Sequence, residues 1–126
     1  MKRIINSSNA PAAIGPYSQG TATESLVYTS GQLPIDPATG KFPSDDVAEQ
    51  TRLSLQNVKA VLEAAGSDMS KVLKTTVFLQ DMADFGKMNE VYGTFFPEGQ
   101  YPARSAVQVA ALPMGAKVEI EAVACK

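Results

Sequence analysis

The alternation of residue types over 117–124 restricts the fold of this chain more than any other feature of its sequence. Its even-numbered positions are apolar: Val118, Ile120, Ala122 and Ala124. The odd-numbered positions are charged as far as 121: Lys117, Glu119 and Glu121. Successive side chains of a β-strand point to opposite faces of its sheet, so this segment is predicted to be a strand with one buried face. Such a sheet needs a second layer of structure to cover that face.

Two amphipathic segments can supply the second layer. The first begins after Asp45 or Asp46, either of which can cap a helix, and Glu49 follows Asp46 at the spacing of a capping box. Its apolar side recurs at helical spacing: Val47, Thr51, Leu55, Val58, Leu62 and Ala65. Gly66 is predicted to end this helix, because a glycine just past the last turn can adopt the left-handed conformation found there.

A second helix is predicted over 82–96. Its aromatic and apolar residues share one face: Phe85, Met88, Tyr92 and Phe95. Pro97 and Gly99 follow directly and are expected to stop the helix.

The remaining segments predict strands and turns. Strands are expected near 2–6, over 24–33 and 72–80, and near 104–111 and 116–125. Pro113 and Gly115 form the turn between the last two, which makes those two strands a candidate antiparallel pair. The order β-β-α-β-α-β-β predicts a single α+β domain over 1–126, with a mixed sheet and two helices on one face.

The other face of the sheet has no predicted cover. Glu119 and Glu121 are expected on it, together with Val123. A surface with both apolar and charged residues is typical of a subunit interface. It is equally typical of the solvated face of an antiparallel sheet, so the pattern leaves both interpretations open.

Composition narrows the classes of function. The chain has 126 residues and a net charge of −2 without a Lys/Arg run, which disfavours nucleic-acid binding. No apolar run approaches the ~18 residues of a membrane span, and the N-terminus lacks the apolar stretch of a signal peptide. Since Cys125 is the only cysteine, no internal disulfide can form, and a cytoplasmic location is expected.

The absence of histidine limits the possible chemistry. It excludes Ser-His and Cys-His nucleophilic systems and His-ligated zinc, and no metal site is predicted. Acid–base work is left to carboxylates, Tyr, Lys or an ordered water. An enzyme of this composition is expected to catalyse an easy reaction, which depends on correct positioning of the reactants more than on a strong base.

Two loop segments are candidates for a binding site. In IGPYSQG, over 14–20, the glycines and the proline impose an irregular backbone that presents the ring and hydroxyl of Tyr17. Gly31, directly after Ser30, would allow a ligand to approach the backbone closely. The plainer interpretations are a connecting loop and the bulged end of a strand, which such residues often form.

Arg104 is a cation with no acidic residue within four positions on either side. Its guanidinium can hold a carboxylate through two parallel hydrogen bonds, and Glu119 could accept a proton or orient a water. The alternative is an ion pair between Arg104 and Glu119 across adjacent antiparallel strands. On pattern alone the ion pair is favoured.

Five segments of the chain resemble the RidA/YjgF family of reactive-intermediate deaminases, and together they cover essentially its whole length. They are NAPAAIGPYSQG (9–20), YTSGQLPIDPATG (28–40), LSLQNVKAVLEAAG (53–66), VLKTTVFLQDMADFGKMNEVY (72–92) and YPARSAVQVAALPMGAKVEIEAVA (101–124). The last is the most specific. It combines PARS, a Val-x-Val strand, a Leu-Pro turn and a VEIEAVA strand, which form the family's C-terminal signature.

This resemblance implies a fold, an assembly and an activity. The fold would be chorismate-mutase-like and the assembly a homotrimer with sites in the clefts between subunits. The activity would be hydrolysis of enamines and imines, such as 2-aminoacrylate and 2-iminopropanoate, to 2-oxo acids and ammonia. The family needs no metal or organic cofactor for this reaction, which is consistent with a chain that lacks histidine.

The resemblance also assigns roles to individual residues. Arg104 matches the arginine that binds the substrate carboxylate, and Glu119 matches the glutamate proposed to position the attacking water. The residues that match the lining of the family's pocket are Tyr17, Ser30, Gly31, Phe85 and Asn89. Many bacterial relatives have a cysteine where this chain has Ala106, so no thiol takes part at that position.

The sequence is also compatible with three rival functions. The same clefts could bind a 2-oxo acid or another small carboxylate as a non-catalytic sensor, in which case Glu119 would be dispensable. RNA-directed and chaperone activities have been attributed to relatives. The acidic composition speaks against the former, and the sequence does not test the latter.

Overall fold

A computed structural model describes residues 1–126 and contains one six-stranded sheet with two α-helices. The strands are β1 (Arg3–Ile5), β2 (Gly20–Ala22), β3 (Leu26–Thr29), β4 (Val72–Leu79), β5 (Ala103–Gln108) and β6 (Val118–Cys125). The helices are α1 (Val47–Ala64) and α2 (Phe85–Gly93). The predicted α+β class with a mixed sheet and two helices is confirmed.

The strands lie in the order β1-β2-β3-β6-β4-β5. All neighbouring pairs are antiparallel except β4 and β5, which are parallel. Parallel neighbours need a crossover connection, and α2 provides it in a β4–α2–β5 unit. This unit places β5 at one edge of the sheet.

The expected pairing of the last two strands is wrong. Strand β4 lies between β5 and β6 and pairs with both of them. Residues 109–117 include a tight turn at Pro113–Gly115, in which Met114 and Gly115 have positive φ. They carry the chain past β4 rather than back along β5. A Pro-Gly signal indicates a change of direction, but it does not specify which strand the chain joins next.

Strand β2 is an additional strand inside a region where the sequence predicts only a loop. It is three residues long, which is too short to show an alternating pattern. A Cβ atom on Gly20 would lie 2.7 Å from Val61 Cγ1 and 2.9 Å from the carbonyl oxygen of Tyr28. Gly20 therefore allows α1 to pack directly on this part of the sheet.

Both predicted ends of α1 are confirmed. The Asp46 carboxylate accepts a hydrogen bond from the Glu49 N–H at 3.2 Å. At the other end Gly66 has φ +85°, and the Ser67 N–H donates to the Leu62 carbonyl at 2.9 Å. This is the pattern of a Schellman motif, which satisfies carbonyl groups that the last turn leaves free.

Helix α2 is shorter than predicted. A 3₁₀ turn at Met82–Asp84 precedes it, with the Asp81 side chain accepting from the Ala83 N–H, and the α-helix ends at Gly93. Met88 and Tyr92 are buried as expected. Phe96, rather than the partly buried Phe95, completes the buried face.

The main core lies between the helices and one face of the sheet. The predicted apolar face of β6 is buried: Val118, Ile120, Ala122 and Ala124. Leu55, Val58 and Leu62 of α1 are fully buried in the same cluster. Burial of an aliphatic side chain contributes about 1.5–3 kcal/mol, so this layer supplies much of the stability.

The opposite face of the sheet has no helix on it, as predicted. Two of its side chains, Tyr28 and Val107, are 48% and 43% exposed. Glu119 and Val123 are half-buried there, whereas Glu121 is exposed. Neither helix is long and apolar enough to cross a membrane.

Candidate active site

A pocket of about 690 Å³ opens on the helix-free side of the molecule. The N-terminal loop, the segment after β3 and the 113–115 turn surround it. Four of the predicted site residues line it: Tyr17, Ser30, Gly31 and Glu119. Apolar side chains such as Ile14, Ile35 and Met114 form much of the remaining wall, as is usual for small-molecule sites.

Glu119 is held against the backbone of Gly31. A pair of hydrogen bonds joins Gln32 to the neighbouring Ile120, at 2.7 Å from the Gln32 N–H and 3.2 Å to the Gln32 carbonyl. A Cβ atom on residue 31 would lie only 2.9 Å from Glu119 Cδ and 3.0 Å from Oε2. Glycine at this position therefore makes room for the carboxyl group.

The environment of Glu119 makes its carboxyl group a weaker acid, and its carboxylate a stronger base, than those of an exposed glutamate. Burial raises the pKa of the Glu119 carboxyl above its ordinary value, and the negative charge of Glu121 raises it further. Both effects make removal of the proton less favourable. A carboxyl group with a raised pKa in a pocket is a candidate acid or base.

Ser30 and Tyr17 occupy the pocket in different ways. The Ser30 hydroxyl donates to the Ser18 carbonyl at 2.6 Å, and the Ser30 N–H donates to the Gln19 carbonyl at 2.8 Å. Ser30 thus fixes the loop that carries Tyr17. Tyr17 itself is 52% exposed and presents its ring at the pocket.

Two buried side-chain amides, those of Gln19 and Asn57, shape this pocket, and no motif in the sequence marks either of them. The Gln19 side chain accepts from the Ser7 N–H at 2.6 Å and donates to the carbonyls of Ser7, Ala10 and Pro11. Asn57 of α1 donates to the carbonyls of Leu33 and Ile35. The available signal for Asn57 is a polar residue on the apolar side of a helix.

The other three predicted residues form a second cluster around Arg104. The Arg104 Nη1 donates to Asn89 Oδ1 at 2.6 Å. Its guanidinium carbon lies 5.2 Å from the Phe85 ring centroid and 4.7 Å from that of Tyr92. Tyr92, predicted only as a core residue of the helix, is therefore also a contact of Arg104.

The Tyr92 hydroxyl has its own partner in this cluster. It shares a buried hydrogen bond with Thr75, with an Oγ1···Oη distance of 2.6 Å. Burial raises the pKa of Tyr92, and the hydrogen bond and the Arg104 charge oppose this only in part. The residue is a neutral phenol at physiological pH.

The two clusters lie on opposite faces of the sheet. Arg104 is in register with Thr75, which is in register with Ala122 of the buried face. Glu119 is in register with Phe78 on the helix-free face. Since residues in register share a face, Arg104 and Glu119 point away from each other. The ion pair between them that the pattern favours is therefore wrong.

Ala106 lies two residues beyond Arg104 on the same side of β5. Its methyl group packs against the hydrophobic core. No three or more His, Cys, Asp or Glu side chains come together in a way that could hold a metal ion. The chemistry available in the two clusters is thus that of a carboxyl group, a guanidinium, hydroxyls and an amide.

The fold and the two clusters together define a small α+β domain. It presents the Glu119 carboxyl group in an apolar pocket and the Arg104 guanidinium over two aromatic rings. The family model described as Endoribonuclease L-PSP matches residues 7–126. The chain therefore belongs to this family, the RidA/YjgF family that its motifs predict.

Full-length relatives have names that agree with the predicted activity. A 2-iminobutanoate/2-iminopropanoate deaminase of Salmonella typhimurium is 52% identical, over 100% of this chain and 99% of its own. A mouse protein of the same name is 49% identical, over 98% of this chain and 91% of its own. A crystal structure of Escherichia coli TdcF with bound serine has a TM-score of 0.94 and 53% identity, covering 98% of each chain.

Proposed function

We propose that this protein hydrolyses 2-imino acids and their enamine tautomers to 2-oxo acids and ammonia. The observation that carries the proposal is the half-buried carboxyl group of Glu119, which has a raised pKa and lies against the backbone of Gly31. It is combined with Arg104, whose guanidinium has further N–H donors to bind an anion. Relatives at about 50% identity with this activity in their names support it. The substrate class would include 2-iminopropanoate and 2-aminoacrylate.

The active site is proposed to form between subunits of a homotrimer. Arg104 and Glu119 lie on opposite faces of one sheet, so one chain cannot bring both to a small substrate. In the proposed ring the contacts are head to tail, with the Arg104 side of one chain against the Glu119 pocket of the next. The exposed Tyr28 and Val107 on the helix-free face are suited to such an interface.

Arg104 is proposed to bind the substrate carboxylate. A guanidinium has five N–H donors in a planar fork, and Asn89 takes only one of them. The remaining donors allow a bidentate contact with a carboxylate. The guanidinium carbon lies over the rings of Phe85 and Tyr92, and one guanidinium nitrogen donates to Asn89.

Glu119 is proposed to position the water and accept its proton. The carbon of a protonated imine is already electrophilic, so addition of water needs placement more than a strong base. Oxygen bonds to this carbon, the C=N electron pair moves to nitrogen, and Glu119 takes the proton of the water. Glu119 then returns that proton to the amino group. The C–N bond breaks with its electron pair leaving on ammonia, and the carbonyl forms as Glu119 takes the hydroxyl proton. That proton passes to ammonia, so the products are the 2-oxo acid and ammonium, and Glu119 is again a carboxylate.

The other predicted residues complete the site in this proposal. Tyr17 covers the substrate with its ring, while Ser30 fixes the loop that bears Tyr17. Gly31 allows both Glu119 and the substrate to approach the backbone. Each role follows from the position of the residue relative to the carboxyl or the guanidinium.

A trapping assay tests the activity. A threonine dehydratase acting on serine releases 2-aminoacrylate, and semicarbazide traps the resulting iminopropanoate in competition with hydrolysis. We expect the wild-type protein to lower the trapping rate and the variants Arg104→Ala and Arg104→Lys to have lost most of this effect, because lysine lacks the fork geometry. Arg52→Ala, a change at an exposed arginine of α1, is the matched control and should behave as wild type. Unchanged trapping with wild-type protein contradicts the proposal.

The assembly is tested separately by light scattering. A trimer has about three times the chain mass of 13.3 kDa. Val107→Asp places a charge on the helix-free face and is expected to produce monomers without activity. An active monomer would show that the site does not need a second subunit.

A non-catalytic sensor of 2-oxo acids is the rival, and Glu119→Gln separates the two functions. In an enzyme this variant binds pyruvate but has lost turnover. A sensor binds pyruvate equally well with and without the substitution and hydrolyses no imine. Both outcomes are measured by calorimetry and by the trapping assay.

A further inference from the structure

Arg104 extends from an edge strand, where neighbouring strands give it little support. It is half-buried, and its hydrogen-bond partner Asn89 is exposed on α2. A long arginine side chain has several rotatable bonds, and ordering it costs up to ~2 kcal/mol of entropy. Whatever fixes the guanidinium before the substrate arrives therefore improves binding.

The structure provides a rigid surface under this side chain. The Tyr92 ring lies 4.7 Å from the guanidinium carbon, closer than the Phe85 ring at 5.2 Å. Tyr92 is buried, and its ring also packs against Phe96 with a centroid distance of 4.9 Å. Its hydroxyl is bound to Thr75, the residue directly in register with Arg104 on β4.

The contacts of Tyr92 link Arg104 to Thr75, its neighbour in register on β4. Thr75 fixes the Tyr92 hydroxyl, Tyr92 presents its ring face, and that face supports the guanidinium of Arg104. A cation over an aromatic face is attracted by the ring quadrupole, and more strongly when it is partly removed from water. The surface under Arg104 is thus built from two residues, Tyr92 and Thr75, that are both buried in the core.

We propose that Tyr92 and Thr75 are a positioning pair that orients the Arg104 guanidinium for carboxylate binding. This inference rests on the proposed function, since it assumes that Arg104 binds the substrate. The charge of a substrate carboxylate does not change during imine hydrolysis. If the Arg104 guanidinium loses its orientation, substrate and transition state should therefore bind more weakly to the same extent. KM then rises while kcat stays nearly constant.

The first test removes the ring. Tyr92→Leu is expected to raise KM for iminopropanoate about 5- to 30-fold, with kcat within about 3-fold of wild type. The dissociation constant for pyruvate should rise by a similar factor. Tyr92→Phe keeps the ring face and should have a KM within about 1.5-fold of wild type. A requirement for the hydroxyl alone does not predict this rescue.

The second test keeps both the ring and the volume of the core. Thr75→Val is close in shape to the native residue but leaves the buried Tyr92 hydroxyl without its partner. We expect KM to rise about 3-fold as the ring tilts. The double variant Thr75→Val/Tyr92→Phe removes both polar groups and should return KM towards the wild-type value. This pair remains informative even where Tyr92→Leu fails to fold.

Leu62→Ala serves as the control for general destabilisation. It truncates a fully buried side chain of α1 in the same core, and Leu62 is neither an aromatic nor a hydrogen-bonding partner of Arg104. The inference is overturned if Leu62→Ala raises KM as much as Tyr92→Leu does, or if Tyr92→Leu binds pyruvate as wild type. Failure of the proposed function gives a different result, in which wild-type protein hydrolyses no imine and Arg104→Ala changes nothing.

Discussion

Replacement of Gly31 by alanine should separate the activity of this protein from its stability. The backbone at Gly31 does not have a positive φ, so alanine can adopt it. The new methyl group would lie 2.9 Å from Glu119 Cδ and 3.0 Å from Oε2. Non-bonded carbon atoms prefer separations of about 3.5–4.0 Å, so the carboxyl group must move by about 0.6–1 Å.

The size of the effect follows from what has to move. The displaced atoms are the end of a flexible side chain, so the free energy of unfolding should change by less than about 1 kcal/mol. A misplacement of about 1 Å at a catalytic group can cost about 100-fold in rate. We therefore expect Gly31→Ala to lower kcat about 10- to 100-fold while the variant remains folded.

Two measurements on the same preparation test this prediction. The semicarbazide trapping assay gives kcat, and urea denaturation gives the free energy of unfolding. Gly86→Ala is a matched control, because a Cβ atom on this residue of α2 meets nothing within 4 Å. It should retain full activity and gain about 0.5–1 kcal/mol of stability. A folded Gly31→Ala protein with wild-type kcat would contradict this prediction, since the chemical step would then not depend on the exact position of the Glu119 carboxyl group.

Three further substitutions have predictable effects. Because the folded-state pKa of Glu119 is raised, its ionisation opposes folding as the pH rises above about 4.5. Glu119→Gln should therefore have a higher Tm than wild type at pH 7 and about the same Tm as wild type at pH 4. An equal increase in Tm at both pH values would contradict a raised pKa for Glu119. Met114→Gly should stabilise the protein by about 1 kcal/mol in thermal denaturation, because Met114 has φ 60°. Gln19→Leu should cost about 1–3 kcal/mol in urea, since its buried backbone partners then lack hydrogen bonds; unchanged stability would show that water replaces the amide.

Local signals in the sequence predict local structure in this protein. Asp46 and Gly66 mark the ends of α1 because a cap depends on the few residues around it. The alternation over 118–124 predicts which face of β6 is buried, because each strand residue points opposite to the next. These features need no information from distant parts of the chain.

The position of β5 depends on distant parts of the chain, and its sequence does not reveal it. Ala103–Gln108 has no clear alternation of polar and apolar residues, so the face that Arg104 occupies cannot be predicted from it. That face is set by the register with Thr75 of β4. The separation of Arg104 from Glu119 follows from this register and from the insertion of β4 between the two strands.

Other residues that shape the site are also not evident from the sequence, because their partners lie far away along the chain. Gln19 and Asn57 bind backbone carbonyls that lie 8 to 24 positions away in the sequence. No local motif identifies such partners. Tyr92 fits the apolar side of its helix, and the sequence does not indicate that one face of its ring supports a cation. A single side chain here belongs to both the core and the site.

The opposite orientations of Arg104 and Glu119 also have a genetic consequence. In the proposed trimer each chain supplies two half-sites that belong to different active centres. A chain with Arg104→Ala and a chain with Glu119→Gln are each inactive alone, yet a mixed ring joins the intact half of one to the intact half of the other. Equal expression with random assembly should restore about a quarter of the active centres. Two defective alleles of this gene would therefore complement each other within one cell.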